Sequence, residues 1–164
     1  MLTILIQEVC QESNINLAEI HAVAVSNGPG SYTGLRIGLS TAKGLCYGND
    51  IPLICLPTLH ILAEAAREKY NSELLCPMLD ARRMEVYTCL LNVEGEELVQ
   101  TQAKILTDDF LFEVTNKIIA FGNGSHKWQS ICTHKHLIFD QHFDFPHAKF
   151  MGRMAHEHFL NKKF

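Results

Sequence analysis

A proline and three glycines bracket a short polar turn at Gly28-Pro29-Gly30-Ser31-Tyr32-Thr33-Gly34. The apolar run Ala22-Val23-Ala24-Val25 precedes it, and a helical periodicity follows to about Gly48. A strand, a glycine turn and a helix start, in that order, turn backbone N–H groups toward an anion or a close-packed partner. Pro29 fixes the turn, and the glycines admit conformations that bulkier residues avoid. Two phosphate motifs fail here. A Walker P-loop needs Lys and Ser/Thr after its last glycine, and Leu35-Arg36 follow Gly34. The dinucleotide fingerprint fits at Gly28 and Gly30 but meets Thr33 where a glycine is required.

Other reactive groupings are weaker. The nine histidines form no His-Glu-x-x-His pattern; His156 and His158 fall on different faces of a helix, and His134 and His136 lie in a loop. Ser31 does not sit in a Gly-x-Ser-x-Gly elbow. Asp80, Arg82 and Glu85 flank a turn and read as a local salt-bridge cluster. Arg36, Arg82 and Arg83 are candidates for anionic contacts, although Arg36 could equally pair with a carboxylate at its helix start. A net charge of −4 argues against a dominant nucleic-acid surface. Six cysteines are scattered without a Cys-x-x-Cys pair, which fits reducing cytoplasm. With 47% hydrophobic and 20% charged residues, the 164-residue chain reads as a soluble globular protein of one or two small domains, with no membrane-spanning run.

The elements that must position these groups follow from periodicity. Leu2, Leu5, Ile6, Val9 and Cys10 form a helical stripe from Met1 to about Glu12. Asn16 is suited to cap a short turn, Leu17 to Ile20. His21 to Val25 and Ile51 to Leu56 read as strands. The helix between them, Thr33 to Tyr47, has a core stripe of Leu35, Leu39, Ala42 and Cys46. Its second stripe is small: Gly34, Gly38, Thr41 and Gly48, with Gly44 beside them. Interior glycines cost about 1 kcal/mol each relative to alanine. Something should therefore pack closely there, either this protein's own sheet or a helix of another chain.

Thr58 is expected to cap a helix from Leu59 to about Lys69, and the polar stretch 70–73 marks a boundary between lobes 1–72 and 73–164. The second half reads as a β-meander: strands Leu74–Leu79, Met84–Val93 and Glu97–Leu106. A helix from Thr107 to about Asn116 follows, with acids in its first turn. Strand Lys117–Phe121, turn Gly122-Asn123-Gly124, helix Ser125–Cys132 and strand His136–Phe139 come next. Pro146 opens a final helix to about Asn161, which could pack across both lobes.

Four segments, in order, resemble the bacterial TsaB (YeaZ) family. The turn and helix start Gly28-Pro29-Gly30-Ser31-Tyr32-Thr33-Gly34-Leu35-Arg36-Ile37-Gly38 resembles its signature. Ile51 to Leu59 resembles its strand and helix cap, Asp80-Ala81-Arg82-Arg83-Met84-Glu85-Val86-Tyr87 its hairpin, and Gly122-Asn123-Gly124 its later glycine turn. The resemblance spans nearly the whole chain. It implies an α/β chain with the two-lobed actin-like ATPase fold (Hsp70/sugar kinase, ribonuclease H-like). It also implies a non-catalytic scaffold for the paralogue TsaD, which transfers threonylcarbamoyl to the adenosine beside the tRNA anticodon. TsaE would join as an ATPase.

Further implications concern sites. The resemblance implies no catalytic or metal residues, no cofactor held by this chain alone, and ATP used by the complex. It implies a heterodimer surface on the first two helices, here through Leu5, Val9, Gly34, Leu35, Gly38, Thr41 and Ala42. tRNA would be met only through the complex, a homodimer would form in the absence of TsaD, and the location would be cytoplasmic without membrane contact. The older "glycoprotease" label finds no protease constellation in this sequence. Compared with the family pattern, an N-terminal strand with an Asp-Thr turn, the following hairpin and a short C-terminal segment are expected to be missing. That would leave edges of Ala22–Val25 and Ile51–Leu56 exposed and would remove a phosphate turn. The competing expectation is a nucleotide-binding or ATP-hydrolysing protein that uses the Gly28–Gly34 turn.

Overall fold

The computed structural model describes residues 2–164. The chain forms two compact units, one of residues 1–57 with 151–164 and one of residues 58–150. Both mix helix and strand, as the sequence pattern requires.

In the first unit, helix α1 (Leu2–Glu12) buries none of its residues. Asn16 then caps a 3-10 turn at Leu17–Glu19: its side chain accepts from Ala18 N at 3.0 Å, and Glu19 reaches back to Asn16 N at 2.8 Å. Strand β1 (Val23–Ser26) begins two residues after the expected start at His21, and it is half-buried along its length. Helix α2 (Tyr32–Asn49) is launched by Ser31, whose hydroxyl accepts from Gly34 N, and it stops at Asp50 in a left-handed conformation with φ 52°. Strand β2 (Leu53–Leu56) pairs in parallel with β1, Val23 opposite Leu53 and Ser26 opposite Leu56. The connection between two parallel strands must be long, and α2 supplies it. Ala42 and Cys46 fill the inward face of α2. The final helix, α5 (Gly152–Leu160), packs on β2. It starts six residues after Pro146, because a 3-10 turn at Ala148–Met151 takes up the intervening chain.

The second unit opens with α3 (Thr58–Arg67), in which Thr58 is a buried first residue rather than a cap outside the helix. Strands β3 (Leu74–Asp80), β4 (Glu85–Leu91), β5 (Glu97–Ile105), β6 (Ile118–Phe121) and β7 (Leu137–Asp140) form one sheet, with α4 (Ser125–Gln129) between the last two. The order is β5-β4-β3-β6-β7. The β3–β4 and β4–β5 pairs are antiparallel; β3–β6 and β6–β7 are parallel.

Alternation along the strands builds two cores. Leu75, Leu79, Ile119 and Phe121 face α3 residues Leu59, Leu62, Ala63 and Ala66. Cys76, Met78, Ile118 and Ala120 face the other way, onto Trp128, Phe110 and Leu106. Strands covered on both faces read as continuous apolar runs, and β3 and β6 do. Helix α3 therefore belongs with the sheet that follows it. This separates the division at Pro57/Thr58 from the boundary expected near residue 72.

Two expected helices differ. Residues 108–113 form successive turns, and no helix forms between 107 and 116. Leu111 stands at φ 60°, and the Thr107 carbonyl accepts from Trp128 Nε1 at 3.0 Å. Packing of Phe110 against Trp128, 5.1 Å between centroids, overrides the local helix signal. Helix α4 ends at Gln129 rather than Cys132.

Candidate pairing surface

The glycine turn is closed by its own helix. Gly28 stands at φ +108°, a region that favours glycine, after which the Gly28–Pro29 bond is cis. A Cβ at Gly28 would lie 3.3 Å from Leu35 Cδ1, and one at Gly30 would lie 3.9 Å from it. Leu35 is half-buried over the turn, and its N–H donates to Ser31 O at 2.8 Å. The first N–H groups of α2 are thus partly spent on Ser31 and not all directed outward.

The outer surface of α2 is open. Tyr32 is 71% exposed and Tyr47 93% exposed. Thr33, Gly34, Arg36, Ile37, Ser40, Lys43, Gly44 and Gly48 are exposed as well. A Cβ at Gly44 or Gly48 would meet nothing within 4 Å; at Gly34 it would meet only Ser31, and at Gly38 only Val25 Cγ2, at 3.8 Å. Close packing on the chain's own sheet does not explain this stripe. A shallow groove of ≈ 500 Å³ runs along Tyr32, Thr33, Arg36, Ile37, Ser40 and Thr41. The Arg36 guanidinium carbon sits 5.0 Å from the Tyr32 ring centroid, a cation–π arrangement that holds the charge at the groove.

On α1, Leu5 and Val9 are 53% and 61% exposed, and Ile4 is exposed beside them. Of the seven residues expected on a partner surface, Leu5, Val9 and Gly34 are therefore exposed. Gly38 and Thr41 are half-buried. Ala42, 5% exposed, faces the interior and is corrected to a core residue, with Leu35 backing the surface. The helical spacing placed Leu35 and Ala42 on the core stripe all along. Ile37, Ser40, Lys43 and Tyr47 were missed, although Arg36, Ser40, Lys43 and Tyr47 recur at the i, i+4, i+7, i+11 spacing of one helix face.

The hairpin residues have local roles. Asp80 Oδ1 accepts from Lys127 Nζ at 2.8 Å and from Arg82 N at 2.6 Å. The Lys127 ammonium first, then the Arg82 backbone N–H, hold the Asp80 carboxyl below its ordinary value. The expected Asp80–Arg82–Glu85 cluster is thus an Asp80–Lys127 pair. Arg82 enters through its backbone, at φ 72°, and the Glu85 carbonyl accepts from Lys127 at 3.2 Å. Tyr87 packs against the α3-side core. The second glycine turn is filled: a Cβ at Gly122 would lie 2.1 Å from Met78 O.

Asp140 is the most enclosed carboxylate of this unit, its side chain 3% exposed. It accepts from Lys69 Nζ and Tyr70 Oη, both at 2.7 Å, and from His142 N at 2.9 Å. Burial alone would raise its pKa. The donors more than offset that and hold it well below the usual carboxylate range. Among the described residues no group of three or more His, Cys, Asp or Glu could hold a metal, and no helix is long and apolar enough to cross a membrane.

Comparison with known proteins locates this architecture. The family model described as TsaD, tRNA N6-adenosine threonylcarbamoyltransferase, matches residues 1–155. A Haemophilus influenzae protein named tRNA threonylcarbamoyladenosine biosynthesis protein TsaB is 40% identical over 83 residues, covering 51% of this chain and 35% of that protein. Its Escherichia coli namesake is 28% identical over 140 residues, covering 82% of this chain and 61% of that protein. The chain belongs to the TsaB (YeaZ) family. A solved structure of YeaZ from Pseudomonas aeruginosa has a TM-score of 0.82 at 22% identity, over 99% of this chain and 77% of that one, a likeness of fold. The fold shared with that structure is a mixed α/β one. The chain spans about a third of the first TsaB relative and under two thirds of the second.

Proposed function

We propose that this chain is a non-catalytic subunit that pairs with a TsaD paralogue for threonylcarbamoyl transfer to the adenosine beside the tRNA anticodon. The observation that carries the reading is the exposed apolar surface of α1 and α2. Ile4, Leu5, Val9, Ile37 and Tyr47 are exposed on two helices of one unit, and Gly44 and Gly48 leave room for another backbone to approach. Exposed apolar residues in number mark an interaction surface, and Tyr and Arg are among the residues that most often anchor one. The match to a TsaD family model and the TsaB names of the relatives support a place in threonylcarbamoyladenosine biosynthesis.

In this reading the two compact units are the two lobes of an actin-like protein. The chain holds no cofactor alone, ATP is used by the complex, and TsaE is the ATPase that joins it. tRNA is met through the complex, and the setting is the cytoplasm. Without TsaD the same helix face takes a second copy of the chain. The nucleotide-binding alternative is weakened by the turn it needs, because Leu35 packs over Gly28 and Ser31 takes the Gly34 N–H. Co-purification of the chain with the TsaD paralogue of the same organism tests the pairing. A stable stoichiometric complex is expected; elution of the two proteins apart at micromolar concentration would reject it.

A further inference from the structure

The tip of the β3–β4 hairpin carries two cations that the fold itself does not use. Arg82 and Arg83 stand at φ 72° and 46°, consecutive residues in the left-handed region. Glycine and asparagine suit that region, and a longer side chain is strained there. Both arginines are exposed. Among the described residues, neither guanidinium takes part in an ion pair or lies over an aromatic ring. Asp80, at the foot of the hairpin, is occupied by Lys127 Nζ and by the Arg82 backbone N–H. The turn under the arginines is braced. Ala81 N donates to Glu85 O at 3.1 Å, and Glu85 N to Arg82 O at 3.0 Å. Leu106 N, just past β5, donates to Met84 O at 2.8 Å. A fold that needed only the turn would be better served by Asn or Gly at both positions. The arginine side chains therefore call for a ligand outside the chain, and the strain points the same way.

We propose that Arg82 and Arg83 contact the phosphodiester backbone of tRNA when the chain is part of its complex. The inference rests on the function proposed above and gives this chain a direct RNA contact of its own. A guanidinium fork matches the spacing of phosphate oxygens. Two cations on a chain of net charge −4 do not make a nucleic-acid surface by themselves. They suit an auxiliary contact that adds to others in the complex. An acidic protein segment is the rival occupant. Protein contacts are usually anchored by apolar or aromatic residues, and of residues 82–84 only Met84, 41% exposed, is apolar.

The test is tRNA binding to the assembled complex of the full chain with the TsaD paralogue, read by fluorescence anisotropy from about 50 to about 300 mM NaCl. Arg82→Asn/Arg83→Gly is compared with the unaltered chain. Asn and Gly accept positive φ, so the variant's melting temperature should equal or exceed the parent's. Each phosphate contact adds about 0.7 to 0.9 to the slope of log affinity against log salt. The variant complex should therefore show a slope smaller by about 1.5 and bind at least about tenfold more weakly at the lowest salt. Arg82→Lys/Arg83→Lys, which keeps the charge, should keep the parent slope. A parent-like affinity and slope in the Asn/Gly variant would overturn the RNA contact and leave the pairing intact. A stable Asn/Gly variant that no longer joins the TsaD paralogue would overturn it in favour of a protein-binding tip. An unaltered complex that binds no tRNA would also overturn it. If the unaltered chain forms no complex at all, the pairing fails and this inference falls with it.

Discussion

Lys127 reaches from α4 to Asp80 at the end of β3, its Nζ 2.8 Å from the Asp80 Oδ1. Forty-seven residues separate them in sequence. The pair ties the hairpin that opens at Asp80 to the second glycine turn, where Asp80 N also donates to Asn123 Oδ1 at 2.9 Å. The Asp80 side chain is 41% exposed, so solvent screens the pair. Lys127→Met is therefore expected to cost under about 1 kcal/mol in urea unfolding. The same change should remove the part of the stability that Asp80 loses as pH falls below its ordinary carboxylate value.

Asp140 should matter more. It is nearly sealed from water, and Lys69, Tyr70 and His142 all donate to it. Asp140→Asn is expected to destabilise the second unit by about 2 kcal/mol, the scale of hydrogen bonds to a buried charge. Because the folded carboxyl titrates below the ordinary value of 3.8, the unfolded chain takes up the proton first as pH drops. Stability from Asp140 is complete above that value and drains away below it. Fluorescence of Trp128, the single tryptophan and fully buried, reads the urea midpoint. Between pH 5 and pH 3 the variant should show a shallower loss than the parent.

Gly122 tests the second glycine turn. Its φ is +96°, and an added Cβ would lie 2.1 Å from Met78 O. Gly122→Ala combines a left-handed strain with a backbone clash, and a loss of about 3 kcal/mol or more is expected. A melting temperature within a degree of the parent would show that the turn can open away from β3.

Gly44 should behave in the opposite sense. It lies inside an exposed helix with nothing within 4 Å of its missing Cβ. Gly44→Ala is expected to stabilise the isolated chain by about 1 kcal/mol, measured by denaturation. A glycine that weakens its own helix and fills no local need is consistent with a surface reserved for another chain.

Local signals were the legible part. Asn16 announces the cap of the turn after it, the glycine turn announces the start of α2, and the successive strands from Leu74 announce the antiparallel run β3, β4 and β5. Long-range competition was not legible. The acids after Thr107 favour a helix, yet Trp128 takes the Thr107 carbonyl and Phe110 turns inward. The partner of Asp80 came from α4, and no spacing within the hairpin could reveal it. On α2 the small-residue stripe was visible, but which side faced outward depended on β1 and β2. Ala42 entered the partner surface through the family resemblance, against the core stripe its spacing gave, and it is buried; Tyr47 and Lys43, both exposed, were overlooked.

The central claim is that the outer face of α2 pairs with TsaD, and Gly44→Phe tests it most directly. Gly44 is exposed and a Cβ there meets nothing within 4 Å, so the variant's melting temperature should stay near that of the parent. The account predicts that this variant no longer co-purifies with the TsaD paralogue. A complex recovered at the yield of the unaltered chain would contradict it.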